Sequence, residues 1–500
     1  MERKKKNMKP CIRKSIFSLI LFFLLIFSSL SAEINLSFAN EMKFIYRDIS
    51  EKPDYDGDKY KSYFSESLKM QAQKGKFTLV AKYDFHRPEY DQFAEWHDVG
   101  DEKNTNYFDT YSIQYEDRNI FLKGGIYDAV IGTGLTLHNF YDSEFDEDSR
   151  LLGYITKFET NKVLLQNFFG FMENQEDEDQ LDQVSGLDFE ITPWEKLRLG
   201  IASAFYRKQV DFSDNEYDNR FVYSFRNDFY SNNFDFYSEI ALSNEENYEN
   251  GHAIYAHSSA YINQFTFTAS YKNYRHFDRI IHDLPAVSHS EEPISDLLDV
   301  GYDEEGLMGQ IRFIPNYENE FLINYAEGWA TKADFNLSDL FLQYKRNFDN
   351  FTIKTEFEHL EQKEPKSWYK ELTPKIGLDF TFKDIIPITF KSEYQIVEQE
   401  NVSSDLRHFE PKIQTDISYH NYSLSVISEH QYGDDKYGET IDFGDTDYLW
   451  IGVEFAAYVF NNTDIRLFVG EEKEGKVCRN GVCKKQTEFS GVRLEINTTF

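Results

Sequence analysis

The sequence predicts an all-β fold: a transmembrane antiparallel up-and-down β-barrel of about 24 strands, roughly 22–26. Three observations carry this expectation. Apolar and polar residues alternate with period two in many segments along the chain, as in strands with one apolar and one polar face. The connections between these segments alternate between tight turns and longer acidic loops. Phe, Trp and Tyr make up 17% of the chain, yet past residue 39 no apolar run is long enough for a spanning helix.

The amino-terminal segment is different in kind. Arg3, Lys4, Lys5, Lys6, Lys9, Arg13 and Lys14 precede an apolar run from Ile16 to Leu30, and small residues follow. A basic region, a short apolar region and a small-residue region together read as a secretory signal peptide. Ser37-Phe38-Ala39 is one candidate cleavage tripeptide and Ser29-Leu30-Ser31 an alternative. The expected organisation is a removed leader, 1–39, followed by one barrel domain, 40–500, with no linker and no second domain.

The leader holds seven of the 53 basic and two of the 87 acidic residues, so its removal leaves 46 against 85 and a net charge of −39. That field excludes nucleic acid as a partner, because phosphate recognition needs clustered Lys and Arg. It favours divalent cations and cationic solutes at the surface.

The alternation is clear in several places. Phe234, Phe236, Ser238, Ile240 and Leu242 oppose Asp235, Tyr237, Glu239, Ala241 and Ser243. Phe265, Phe267, Ala269 and Tyr271 oppose Thr266, Thr268, Ser270 and Lys272, and Phe351, Ile353, Thr355 and Phe357 oppose Thr352, Lys354, Glu356 and Glu358. Short turns fall at Lys74-Gly75, Glu116–Asn119, Thr160-Asn161, Pro193–Glu195, Ser231–Asn233, Asn263-Gln264, Asn316–Asn319, Asn347–Asn350, Lys383–Ile386, His420-Asn421 and Asn461–Asp464. Longer loops are expected at 87–105, 139–150, 173–183, 208–219, 278–305, 363–368, 400–406 and 432–447. Counting back from the last strand puts every short turn on the periplasmic side and the acidic loops outside, the layout of outer-membrane barrels. The first strand is expected at Glu41–Asp48.

A barrel of this size cannot be filled by side chains and encloses water, a loop or a plug. Asp235, Glu239, Lys272, Lys354, Glu356, Glu358, Arg466, Arg493 and Glu495 are expected to line that lumen. The longest loop, 278–305, carries Asp283, Glu291, Glu292, Asp296 and Asp299, which become constriction candidates if the loop folds inward.

Near the end stands Cys478-Arg-Asn-Gly-Val-Cys483. Asn-Gly is a strong signal for a two-residue hairpin turn. Arg479 and Val482 then flank the turn, and the two cysteines form the next pair out, where cross-strand Cα atoms approach to about 4.5 Å, within disulfide range. A disulfide stapling an extracellular hairpin is expected; the spacing fits neither a redox nor a zinc motif. Cys11 lies in the leader.

Gly124 to Leu137 is glycine-rich without matching a nucleotide-binding spacing, and it reads as a kinked strand near or inside the lumen. With the cysteine hairpin, it resembles a family of exported outer-membrane barrel proteins of Bacteroidota-type bacteria. The residues carrying the resemblance are Gly125, Tyr127, Asp128, Gly132, Gly134, Leu135 and Leu137, then Cys478, Gly481, Val482 and Cys483. Members often carry Arg at the positions of Thr133 and His138, so the resemblance implies fold and location here and no anion site. The final strand places Val492, Leu494, Ile496, Thr498 and Phe500 on one face, with Arg493, Glu495, Asn497 and Thr499 on the other. It resembles the closing strand of bacterial outer-membrane barrels. That resemblance implies that Val492, Leu494, Ile496 and Phe500 form the signal read by the barrel assembly machinery.

No catalytic, cofactor or metal constellation is expected. Asp142–Asp148 and Glu176–Asp179 lack the spacing of a calcium loop, leaving at most weak Ca²⁺ binding or ion bridges to lipopolysaccharide. His97-Asp98 and His282-Asp283 are sequence neighbours without a nucleophile motif, so an enzyme is not expected. The expected role is a porin-like channel for passive diffusion of small, preferentially cationic solutes, in contact with outer-membrane lipid. The alternative is a non-conducting binding or structural barrel that anchors polysaccharide, adheres, or serves a transport or secretion complex.

Overall fold

A computed structural model describes residues 34–47, 62–87, 105–142, 147–173, 181–211, 216–245, 250–277, 285, 287, 303–330, 335–383, 385–401, 404–434, 440–443, 448–460, 462–473, 475–479, 482–486 and 488–500. Twenty-four strands form one closed antiparallel barrel. Closure comes from the first strand, Asn35–Arg47, which pairs with Ser62–Lys74 on one side and the last strand, Phe489–Thr499, on the other. Phe38 and Phe500 complete the seam by exchanging backbone hydrogen bonds of 3.1 and 2.8 Å. At ~4.8 Å between strands and a tilt of ~40°, 24 strands enclose a ring roughly 45–50 Å across between backbones.

The two ends differ as the turn pattern requires. The eleven connections at one end are each two or three residues long, as from Lys74 to Phe77 or from Tyr419 to Tyr422. Several place a residue in the left-handed region, among them Asn263, Lys383 and His420 at φ of 53°, 51° and 52°. The connections at the other end run up to 276–303.

Four boundaries depart from expectation. The first strand starts at Asn35, ahead of the anticipated Glu41, because Leu36 and Phe38 extend the outward apolar alternation of Phe44 and Tyr46. The barrel therefore includes Asn35–Ala39. The described parts of 363–368 and 400–406 are mostly the ends of long strands. Phe351–Glu364 meets Ser367–Phe382, and Ile386–Asn401 meets Ser404–Tyr419, with two residues between. Their polar tips look loop-like in sequence, but an outward row of alternating charge, Glu361, Lys370, Glu398 and Arg407, falls in register across the four strands. Opposite charges facing each other stabilise strand pairing beyond the apolar belt. The described part of 208–219 is strand as well, where Leu197–Asp211 meets Glu216–Tyr230.

The outer surface is apolar. Ile201, Leu242, Ile323, Ile376, Ile413 and Ile451 all point outward and are exposed. Aromatic rings border this belt. Near the tight turns, Phe265, Phe313, Phe321 and Tyr344 form a ladder over four strands with centroids 4.4, 6.1 and 4.8 Å apart. Toward the long loops, Phe205 packs on Phe221 at 4.7 Å and Tyr83 on Phe108 at 5.2 Å. Phe221 and Phe229 mark the two borders on one strand; eight tilted residues rise about 20 Å, close to the apolar band of a spanning barrel.

The terminal hairpin pairs Gly475–Arg479 with Val482–Gln486 and sets Cys478 opposite Cys483. Peptide mapping of the exported protein without reductant is expected to recover these two cysteines linked. Two free thiols would remove the staple.

Candidate functional site

The glycine-rich segment leaves the wall. The strand Ile120–Tyr127 ends at its upper margin, and the chain turns inward as a hairpin, Ala129–Ile131 against Leu137–Asn139. The expected kinked strand is thus a strand end followed by an inserted hairpin. Its physical cause is the wall beneath it. From Leu151 to Tyr274 the inward residues include Phe168, Val184, Ala202, Ala204, Val222, Ala241 and Ala253, small or apolar groups that water would not favour. Ala129, Ile131, Leu135 and Leu137 cover them, and all four are at most 1% exposed. Full burial of each larger side chain contributes roughly 1.5–3 kcal/mol.

The tip is latched by charge. Glu239, fully buried, receives the Thr133 N–H at 3.0 Å, the Thr133 hydroxyl at 2.9 Å and the Tyr237 hydroxyl at 2.7 Å. Thr136 donates to its other oxygen at 3.2 Å and shares a 2.5 Å hydrogen bond with Ser224. Beside Glu239, Arg226 reaches Asp188 at 2.5 Å and Glu190 at 2.7 Å through Nη2. Gly132 lies against both groups at a φ of 62°; a Cβ there would stand 2.4 Å from Glu239 Oε2 and 2.7 Å from Arg226 Cδ. Only a glycine fits that conformation and that space together.

The base of the hairpin is fixed as well. Phe140 and Ser149 exchange hydrogen bonds of 2.9 and 3.0 Å. Arg150 holds Asp148 at 2.7 Å, Asp109 at 3.1 Å and the Thr110 hydroxyl at 2.7 Å. Its hydrogen bonds to Asp148 hold the guanidinium above its ordinary pKa against the opposing effect of burial. The described part of the longest connection also turns inward. Phe277 and Val287 are buried, and Tyr274 donates to the Pro285 carbonyl at 3.0 Å. The constriction candidates Asp283, Glu291, Glu292, Asp296 and Asp299 lie outside the described residues, as do His97 and His282.

Each lumen candidate shares a strand face with inward groups. Asp235 accepts from Tyr261 at 2.9 Å at an exposed position, and buried Lys272 pairs with buried Glu304 at 2.6 Å. Lys354 pairs with Glu356 at 2.6 Å, Glu358 with Lys375 at 2.7 Å and Arg466 with Asp464 at 2.9 Å. Arg493 reaches Glu472 at 3.3 Å and Glu495 at 3.5 Å between the rings of Phe468 and Phe489. Val492, Leu494 and Ile496 alternate with these and pair with Tyr46, Phe44 and Met42. Among the described residues no cluster of His, Cys, Asp and Glu could hold a metal ion.

Sequence reasoning missed Arg226, Asp188, Glu190, Thr133, Thr136 and Tyr237. A signal was available: many inward positions from 151 to 253, among them Phe168, Val184, Ala202, Ala204, Val222, Ala241 and Ala253, are small or apolar where a water-facing wall would be polar, which calls for a cover.

The wall opposite the hairpin differs. From Phe351 to Lys412 it carries a set of partly exposed ionic inward residues: Glu356 at 19%, Lys375 at 28%, Glu393 at 35% and Lys412 at 27% of side-chain surface. The lumen therefore has one side covered by the hairpin and one side where ionic side chains stay partly exposed.

Comparisons with solved structures give low-identity matches. The chain is similar to the FrpB iron transporter from Neisseria meningitidis (F3-3 variant), with 8% identity, 93% of this chain and 81% of that chain covered, and a TM-score of 0.43. It is similar to the outer membrane transporter YddB from Escherichia coli, with 7% identity, coverage of 93% and 80%, and a TM-score of 0.46. The P pilus usher (PapC) translocation pore matches with 7% identity, coverage of 94% and 99%, and a TM-score of 0.42. No curated protein matches the chain. The model of the family of unknown function DUF6029 matches residues 12–418, and the chain belongs to that family.

Proposed function

We propose that the protein is an outer-membrane channel through which small solutes diffuse passively, with cations preferred. The observation that carries this reading is the divided lumen. The hairpin thickens one wall, while the opposite wall keeps ionic side chains exposed, as a water-filled path requires. The apolar outer belt with its two aromatic borders supports a place in a lipid bilayer. The formal net charge of −34 supports cation preference at the mouths.

The test is recording from purified, refolded protein in a planar bilayer. Stable single-channel steps are expected, with a reversal potential in a salt gradient that shows cation selectivity. A silent bilayer, with protein whose gel mobility shows a folded barrel, would turn the reading toward a binding or structural barrel.

A further inference from the structure

The wall opposite the hairpin carries an ordered pattern. Glu356 stands opposite Lys375, Lys375 opposite Glu393, Glu393 opposite Lys412, and Lys412 opposite Glu429. Five adjacent strands thus present one row, alternating in sign at every step of ~4.8 Å. Lys412 lies 2.8 Å from Glu429, and Lys375 lies 4.0 Å from Glu393. Lys473 continues the row toward the long-loop end, 3.9 Å from Glu429 and paired with Glu410.

We infer that this row is a binding track for small zwitterionic solutes, those carrying an ammonium and a carboxylate a few ångströms apart, as an amino acid does. The inference rests on the channel reading above. Three physical points support it. A single ion gains little here, because opposite charges one strand apart cancel within a Debye length of ~8–10 Å. A zwitterion meets both signs at once. Its ammonium can replace Lys375 on Glu393 while its carboxylate takes Lys375 or Lys412, so every charge keeps a partner throughout the exchange. The side chains are also reachable, whereas Arg226 and Asp188 on the covered wall are only 4% and 6% exposed.

The row also has a direction. It runs straight across strands that tilt by ~40° in a barrel of this kind, so successive pairs climb the pore axis. A solute that steps from pair to pair advances along the pore without leaving the wall.

Glycine and its uncharged isomer glycolamide separate this inference from simple sieving. In proteoliposome swelling, wild-type protein is expected to pass glycine about threefold faster than glycolamide, the size of one exposed ion pair. The double variant Lys375→Met/Glu393→Gln removes one charge of each sign. It is expected to bring the ratio to unity. A second pair, Lys412→Met/Glu429→Gln, serves if the first does not fold. A ratio that stays the same in a folded, conducting variant overturns the track and leaves the channel intact. A wild type that passes potassium chloride yet shows no preference for glycine overturns it too. A wild type that passes neither solute nor ion overturns the channel reading, and the track with it.

Discussion

Replacing Arg226 by Met is expected to expel the hairpin from the lumen. The guanidinium is the cation among three carboxylates, bonded to Asp188 and Glu190 and adjacent to Glu239. Without it those carboxylates remain at low exposure, and the loss of one member of a buried ionic set costs about 3–5 kcal/mol. The barrel strands keep their own ladder hydrogen bonds, so the energy is relieved where the structure gives most easily, at the Thr133–Thr136 tip. Two measurements check this together: a lower unfolding midpoint in denaturant, and a larger, noisier unit conductance. Arg226→Lys keeps one charge but lacks the fork that spans Asp188 and Glu190, and is expected to fall between the two. A variant with unchanged stability and conductance would show that the tip is held by packing alone.

Excising residues 129–139 and bridging the gap with a short Gly-Ser linker is expected to have the larger effect on flow. The excision uncovers Phe168, Val184, Ala202 and Val222 and opens the side of the lumen that the hairpin occupies. Unit conductance is expected to rise well above the wild-type value. Stability is expected to fall by roughly 1.5–3 kcal/mol for each of Ile131, Leu135 and Leu137 removed from burial. Equal conductance in excised and intact protein would mean that the path does not run beside the hairpin.

The barrel was legible in the sequence because its determinants are local. Alternation such as Phe234–Ser243 needs no distant partner to be read, and turns such as His420-Asn421 declare themselves by composition. The hairpin was only half legible. Gly132 and Gly134 marked an unusual backbone, but the groups that explain it, Glu239 and Arg226, lie about a hundred residues away. Their role depends on which wall the segment meets, and no local pattern states that. The strand extensions past 363 and 400 were misread because cross-strand charge pairing makes a strand out of loop-like residues. Asn35–Ala39 were hidden by adjacency to the apolar run Ile16–Leu30, whose composition blurs into that of a first strand.

The latch also has a place in time. The hairpin precedes in the chain every strand from Leu151 onward that it covers, and Thr133 waits for a carboxylate 106 residues later. As the chain grows, Ile131, Leu135 and Leu137 emerge with nothing to cover. Neighbouring strands can zip by local contacts, but this element docks only after the segment from 151 to 277 has taken its place. The insertion is therefore a late event of assembly, and the chain carries an adhesive apolar segment through the aqueous stage of its biogenesis.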